Sequence, residues 1–261
     1  MKHQLICTAL LAAMTMPVQA DWGEDCEYSR DIEATLDVSG SELLAVVARA
    51  GTLVINGESD RSEVEIHARV CASEKDWLEE SSVETREAKT ARIEVEVPDF
   101  DGGWSLWGGN RYVRVDLELV VPENLALDIK DSSGSMKLHG AGAATIIDSS
   151  GSIAVEDSNG TVSVRDSSGS VRFARINGDV IIESDSSGSI SGKDIRGSVL
   201  VKKDSSGGIS FTDVAGDFTV ERDSSGSISA NGVGGDFVVL KDGSGGISSR
   251  GVKGEVRTPL D

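Results

Sequence analysis

The sequence predicts an all-β protein built as a parallel β-solenoid, and three observations indicate this fold class. The pentapeptide Asp-Ser-Ser-Gly-Ser or a near copy of it recurs seven times, at spacings of 17 to 19 residues. A second series of glycines recurs between these copies, each followed closely by Val or Phe. Apolar and polar residues alternate between the two series, as they do in half-buried strands. A linker has no reason to keep such a period, whereas stacked coils require it.

Each coil contains two strand-like half-units, one after each series. The aspartates that open the first series are Asp131, Asp148, Asp166, Asp185, Asp204, Asp223 and Asp242. The glycines of the second are Gly178, Gly197, Gly216, Gly235 and Gly254. One coil supplies too few apolar side chains for a core of its own, so about seven coils of 19 residues must stack to build one. Parallel crossovers predict a right-handed coil, and both a two-sided and a three-sided coil fit the pattern.

Residues 1–20 indicate a secretory signal peptide. Lys2 and His3 precede an apolar stretch, and small residues allow cleavage after Ala20. Without this segment the chain has 24 basic and 44 acidic residues, a net charge of about −20. Such a surface repels nucleic-acid phosphates and anionic lipid, so we expect neither nucleic acid nor membrane insertion after cleavage. We expect an exported protein, in the periplasm, with the cell surface or secretion as alternatives.

Two cysteines remain after the signal peptide, Cys26 and Cys71. An even number of cysteines in an exported chain favours a disulfide. The sequence therefore predicts a Cys26–Cys71 bond.

Residues 21–128 are less regular than the repeat at residues 129–261, and no linker separates the two parts. Strand-like alternation runs to Pro98 and again to Pro122. Before these strands, Ser73 is followed three residues later by Asp76, which predicts that Ser73 is the N-cap of one short helix. We expect this part to form a mostly-β N-terminal cap, continuous with the solenoid, because an open solenoid end exposes strand edges.

The stretches "LLAVVARAGTLVINGESDRSEVEIHARV" and "VPENLALDIKDSSGSMKLHG", with the repeated "SSGSI" segments, carry a family resemblance. Nearly the whole chain after the signal peptide resembles the exported bacterial family of adhesin-like proteins with β-strand repeats. The resemblance implies a parallel β-helix in the cell envelope and supplies no catalytic residues.

The seven aspartates occupy one position of the coil, so they stack at the interstrand spacing of about 4.8 Å, where carboxylates repel one another. Calcium would offset this charge, which makes the seven aspartates candidate calcium ligands and calcium the candidate cofactor. A structural turn is the favoured interpretation, with backbone N–H groups donating to the carboxylate and glycine at positive φ. A basic residue precedes five of the aspartates and could offset their charge: Lys130, Arg165, Lys203, Arg222 and Lys241.

The unrepeated segment "PDFDGGWSLWGGNRY" concentrates aromatic residues between two alternating strands, which predicts a long hairpin loop. Exposed aromatic side chains bind sugars or anchor partners, so the candidate ligand- or partner-binding residues are Phe100, Trp104, Trp107 and Tyr112. The favoured interpretation is that they fold back as a lid on the open end of the solenoid, with the binding site as the alternative. His67 and His139 are predicted to be surface residues.

These observations favour a non-catalytic structural or adhesin-like binding module whose partner is an envelope protein or a glycan. Two alternatives are a calcium-binding solenoid and a polysaccharide-active β-helix enzyme. The near-identical turns argue against an enzyme, because they leave no irregular loops to build a cleft.

Overall fold

A computed structural model describes residues 26–98 and 111–259, and it confirms the predicted β-solenoid. The strands, numbered in chain order, form two sheets. In spatial order the first sheet contains β1 (Tyr28–Asp37), β4 (Glu63–Ala72), β7 (Val113–Pro122), β3 (Leu53–Glu58), β9 (Gly134–His139), β11 (Gly151–Glu156), β13 (Gly169–Ile176), β15 (Ile190–Ile195), β17 (Ile209–Val214), β19 (Ile228–Val233) and β21 (Ile247–Arg250).

The second sheet faces the first across the core. In the matching order, from the end of β5 to the end of β22, it contains β5 (Ser82–Arg86), β6 (Thr90–Glu96), β2 (Leu43–Val47), β8 (Ala126–Lys130), β10 (Ala144–Ile147), β12 (Val162–Arg165), β14 (Val180–Ser184), β16 (Val199–Val201), β18 (Phe218–Val220), β20 (Phe237–Val239) and β22 (Val256–Arg257). Each repeated coil gives one strand to each sheet, so the coil has two sheet faces.

The repeat folds as its period predicts, because equivalent residues lie directly above one another. In the first sheet Ile190 pairs with Ile209, and Ile209 pairs with Ile228. In the second sheet Val199 pairs in the same way with Phe218. These side chains are buried between the sheets, so each column of apolar residues adds to one continuous core.

The N-terminal part contains an order of strands that the sequence did not predict. The coil made of β2 and β3 lies between the β6–β7 coil and the β8–β9 coil, although β6 and β7 come later in the chain. After β7 the chain crosses the inserted coil through a turn in which the Leu125 N–H donates to the Pro122 carbonyl. Strand β8 spans the position where the irregular sequence gives way to the repeat.

Antiparallel strands and a short helix complete the N-terminal end. Strand β4 pairs antiparallel with both β1 and β7, and β5 pairs antiparallel with β6. Helix α1 (Lys75–Glu80) packs Trp77 and Leu78 against the core. In the described part of the chain no helix has the length and apolar character needed to cross a membrane.

The predicted helix exists, but its predicted N-cap is wrong. The N-cap residue is Glu74, whose side chain makes no capping hydrogen bond. Ser73 is instead tied to another segment: its N–H donates to the Tyr112 carbonyl, and its Oγ accepts the Tyr112 N–H at 3.1 Å. The hydroxyl that could cap the helix therefore holds the start of the helix next to the residue that precedes β7.

The predicted hairpin between Pro98 and Tyr112 is also wrong. Strand β6 belongs to the second sheet and β7 to the first, so the two strands do not pair with each other. Alternation shows that each strand has one buried face but not which sheet it joins. Phe100, Trp104 and Trp107 lie outside the described residues, as does the predicted signal peptide at 1–20.

The predicted disulfide is confirmed. Cys26 and Cys71 are bonded, with their Cα atoms 5.4 Å apart. The bond ties the segment before β1 to the end of β4, where Cys71 is fully buried. It therefore reinforces the antiparallel end of the solenoid rather than the repeated coils.

Glycine is required at the corner after each aspartate. The last glycine of each Asp-Ser-Ser-Gly unit has φ between +126° and +141°, as at Gly188 and Gly207. A Cβ atom on Gly207 would overlap the carbonyl oxygen of Gly188 in the preceding coil. Backbone conformation and close stacking thus both exclude a side chain at this position.

Candidate functional site

The aspartate of each Asp-Ser-Ser-Gly unit points into the solenoid rather than into solvent. It lies at the corner where a strand of the second sheet passes into a strand of the first. Exposure is between 0 and 5% for the first six of these residues: Asp131, Asp148, Asp166, Asp185, Asp204 and Asp223. We call these six residues the aspartate column. The seventh predicted calcium candidate, Asp242, lies in the last coil and is half-buried.

Backbone amides satisfy only part of the aspartate column. The N–H groups of Ser132 and Ser149 each donate to the Oδ1 atom of the preceding aspartate at 2.8 Å. The N–H groups of Ser168 and Ser225 reach Asp166 and Asp223 at 3.2 Å. The predicted donation by backbone N–H groups two residues on is confirmed at Asp166 and Asp223. At Asp131 and Asp148 the donor is instead the next residue.

The remaining carboxylate oxygens are buried without a partner among the described residues. Oδ2 lacks a hydrogen bond in all six aspartates of the column, and both oxygens lack one in Asp185 and Asp204. The amides of the following serines lie near these two carboxylates, but their geometry does not form hydrogen bonds. An unpaired buried carboxylate is costly, so each of these oxygens calls for a compensating proton or cation.

Burial shifts the titration of the aspartate column. Loss of solvent raises the pKa of Asp131 to about 7 and that of Asp148 to about 6. It also raises the pKa of Asp185 and of Asp204 to about 6, and the neighbouring carboxylates add to the effect. Nearby serine amides favour the charged form and oppose this shift in part.

The basic residues that precede the aspartates do not offset their charge, so this part of the sequence interpretation is wrong. Among residues 26–98 and 111–259 no ion pair joins an aspartate of the column to a basic side chain. Successive residues of a strand face opposite sides, so an inward aspartate places its predecessor outward. The five basic residues are all exposed: Lys130, Arg165, Lys203, Arg222 and Lys241.

A polar groove of about 890 Å³ follows the opposite corner of the solenoid, where the first sheet passes back to the second. Its lining runs from Gly57 to Ala215, and polar side chains of five successive coils, from His139 to Asp213, contribute to it. The side chains that dominate its wall are His139, Asp157, Asn159, Arg175, Asn177, Asp194, Arg196 and Asp213. We call this feature the corner groove.

A left-handed backbone residue forms one edge of the corner groove in each coil. Asp157, Arg175, Asp194 and Asp213 all have φ between 56° and 58°. Residues other than glycine, Asn and Asp adopt this conformation rarely, because the Cβ atom approaches the carbonyl oxygen. This unusual φ lies one residue before the end of β13, β15 and β17 and directly after β11, so it interrupts the pairing at the same point of each coil.

Arg175 links the carboxylates at one end of the corner groove. Its guanidinium donates to both oxygens of Asp157, at 2.6 and 2.8 Å, and to Glu156 at 2.9 Å. The guanidinium lowers the pKa of Asp157. His139 Nδ1 lies 3.3 Å from the same carboxylate.

His139, Glu156 and Asp157 have the spacing of a metal site but not its charge balance. One potential ligand atom of each lies within 4.8 Å of the others. The Arg175 guanidinium already donates to both carboxylates, so a metal ion there would face a positive charge at close range. These residues fit a hydrogen-bonded cluster rather than a metal site.

The middle of the corner groove contains both hydrogen-bond donors and hydrogen-bond acceptors. The Asn177 amide donates to the Asn159 side-chain oxygen at 2.9 Å, which forms a short amide ladder. The Lys193 Nζ atom lies 4.0 Å from Asp194 Oδ2. In the described chain neither Arg196 nor Asp213 forms an ion pair. Such amides, carboxylates and guanidinium groups can bind the hydroxyl groups of an extended polar ligand.

Three of the four predicted aromatic binding residues, Phe100, Trp104 and Trp107, lie outside the described residues. Of the four aromatic candidates, Tyr112 is described: it is half-buried and its Oη accepts a hydrogen bond from the Glu27 N–H at 3.3 Å. His139 is a groove residue, which its isolated position in the sequence did not indicate. The signal that could have found the groove is one phase of the coil at which positive φ recurs: glycine holds it at Gly140, Gly232 and Gly251, and Asp or Arg holds it in the coils between.

Comparison with known proteins yields distant structural likenesses only. No protein-family model matches the chain, and no curated protein matches it. A "putative cell adhesion protein" from Clostridium sporogenes is 13% identical, with 88% of this chain and 98% of that one covered and a TM-score of 0.34. A "putative lipid binding protein" from Parabacteroides distasonis is 14% identical, with 87% and 96% covered and a TM-score of 0.40.

A "putative adhesin" from Bacteroides fragilis is 11% identical, with 87% of this chain and 96% of that one covered and a TM-score of 0.34. The descriptions of this structure and of the Clostridium one agree with the adhesin-like family that the sequence resembles. Because their TM-scores are below 0.5, these structures do not indicate a function for this chain.

Proposed function

We propose that the chain is an exported, non-catalytic binding module that holds an extended, uncharged glycan in the corner groove. One observation carries the proposal: hydrogen-bonding side chains line one continuous groove across five coils. Four interstrand steps of about 4.8 Å give the groove a length of roughly 19 Å, enough for several sugars in a row.

The charge of the chain supports an uncharged ligand. The whole sequence carries a net charge of −19, which repels acidic polysaccharides over long range. Within the groove, acidic and basic groups alternate, so a chain of hydroxyl groups finds both donors and acceptors. A protein partner from the envelope is the second candidate occupant.

The covalent framework supports export. The Cys26–Cys71 disulfide persists in an oxidising compartment, such as the periplasm or the cell exterior. The signal-like residues 1–20 agree with this location, and we place the protein in the envelope with the periplasm as its first candidate site.

The groove is tested by removing one acidic and one basic group from it. We expect Asp194→Ala combined with Arg196→Ala to weaken binding to an immobilised neutral polysaccharide by about tenfold or more, since each change removes a charged hydrogen-bonding group. Glu221→Ala combined with Arg222→Ala is the matched control, because these exposed residues of one coil also remove one charge of each sign. The control should bind like the wild type.

Three results would contradict the proposal in different ways. Equal binding by the groove variant and its control would place the glycan elsewhere, and loss of binding by Trp104→Ala with Trp107→Ala would then assign it to the aromatic segment. Binding of no neutral polysaccharide by the wild type would favour the protein partner. Release of new reducing ends from a bound glycan would favour the polysaccharide-active enzyme.

A further inference from the structure

The centre of the aspartate column contains two carboxylates that accept no hydrogen bond of normal geometry from the described residues, although the amides of the following serines lie near them. Asp185 is 1% exposed and Asp204 is 0% exposed. The two residues form a parallel bridge between adjacent coils, so their side chains leave the backbone side by side. All four of their carboxylate oxygens are buried without a hydrogen bond among the described residues.

No basic side chain compensates this pair. Lys203, the residue before Asp204, is exposed on the outer face, and among the described residues no lysine, arginine or histidine forms an ion pair with either aspartate. Two charges at a coil spacing of about 4.8 Å repel each other far more strongly inside a protein than in water. A buried charge of this kind is stable only when it is paired or coordinates a metal.

We propose that a divalent cation of the calcium type binds inside this corner, between the carboxylates of Asp185 and Asp204. Two carboxylates offer up to four hard oxygen ligands, which is the donor chemistry that Ca²⁺ prefers over nitrogen or sulfur. A single divalent ion neutralises both charges of the pair. Asp166 and Asp223 extend the same column by one coil on each side, so the arrangement offers adjacent sites.

The proposal does not depend on the glycan proposed for the corner groove, because the two sites lie at opposite corners. Calcium would act as a structural ion that joins two coils. Its binding to the folded chain alone would then stabilise the solenoid by mass action. The competing occupant of the same position is a proton shared by the two carboxyl groups.

The test titrates calcium into metal-free protein at pH 7.5 and follows the melting temperature and the heat of binding. Calcium at a hundredfold excess over its dissociation constant should raise the melting temperature by about 5 to 10 °C for a chain of this size. Asp185→Asn with Asp204→Asn should abolish this shift, since amides keep the shape but remove the charge. Asp194→Asn with Asp213→Asn is the matched control: it removes two exposed carboxylates of the same coils and should keep the shift.

Each outcome decides for or against the site. Calcium is added from a tenfold molar excess up to millimolar concentrations. If the wild-type protein then shows neither a binding heat nor a shift in melting temperature, the proposal is overturned and the pair is assigned to shared protons. Equal shifts in both variants would overturn it too, because the ion would then bind the acidic surface. The wild-type titration needs no variant, and folding of the column variant is checked separately by its circular dichroism spectrum in chelator.

Discussion

Replacing Gly207 with alanine is expected to cost roughly 4 kcal/mol of unfolding free energy or more, a loss of about 8 to 16 °C in melting temperature. Gly207 has a φ of +131°, which side-chain-bearing residues rarely adopt, and an added Cβ would overlap the Gly188 carbonyl oxygen. The overlap is with backbone, so no side-chain rotation relieves it. The coil itself must move away from its neighbour and lose pairing.

Gly208 provides the matched control because it is the next residue of the same corner. Its added Cβ would meet Ser227 Oγ at 3.6 Å, an ordinary contact, and the equivalent position holds serine in other coils, such as Ser189 and Ser227. We expect Gly208→Ala to change stability by less than about 1 kcal/mol. Urea unfolding of both variants measures the difference. Similar losses in the two would mean that the corner backbone is not held as the structure shows.

The second large effect is a loss of stability as the pH rises in metal-free buffer. The folded pKa values of the column, about 7 for Asp131 and about 6 for Asp148, Asp185 and Asp204, lie above the usual value of 3.8. The folded state therefore binds more protons than the unfolded chain. The stability that this supplies is complete below pH 4 and is lost as the pH passes through 6 to 7.

Between pH 4.5 and 7.5 we expect the unfolding free energy to fall by on the order of 5 kcal/mol, because the folded column releases its protons over this range while the unfolded chain has already released most of its own. Urea unfolding in chelator at several pH values measures it. Asp185→Asn with Asp204→Asn should roughly halve the fall, because Asp131 and Asp148 keep their raised pKa values. The exposed pair Asp194→Asn with Asp213→Asn changes the net charge equally and should leave the fall unchanged. A midpoint that stays constant or rises with pH would contradict the account.

The solenoid could be predicted from the sequence because stacking is a local rule repeated many times. Once Val199 lies above Val180, the same spacing places Phe218 above Val199, and the period alone specifies both sheets. The insertion of the β2–β3 coil between later coils could not be predicted in this way. It depends on pairings between segments far apart in sequence, which alternation does not encode.

The candidate sites, likewise, could be predicted from the sequence only in part. Turn composition predicted that Asp-Ser-Ser-Gly forms a corner, but it did not predict that the aspartate points inward. Which face a residue takes depends on how the neighbouring strands register, and here the register buries Asp204 and exposes Lys203. The corner groove escaped prediction because its wall changes residue type from coil to coil, for example from Asp157 to Arg175 to Asp194.

The inward orientation of the aspartate column can be measured by carboxyl labelling with a carbodiimide and an amine, read by mass spectrometry on the native protein. Asp185 and Asp204 lie in the same coils as the exposed Asp194 and Asp213, so each coil contains its own reference. We expect the two exposed carboxyl groups to react at least about tenfold faster than those of Asp185 and Asp204, because the buried pair is labelled only when a coil opens. Equal labelling rates within each coil would contradict it.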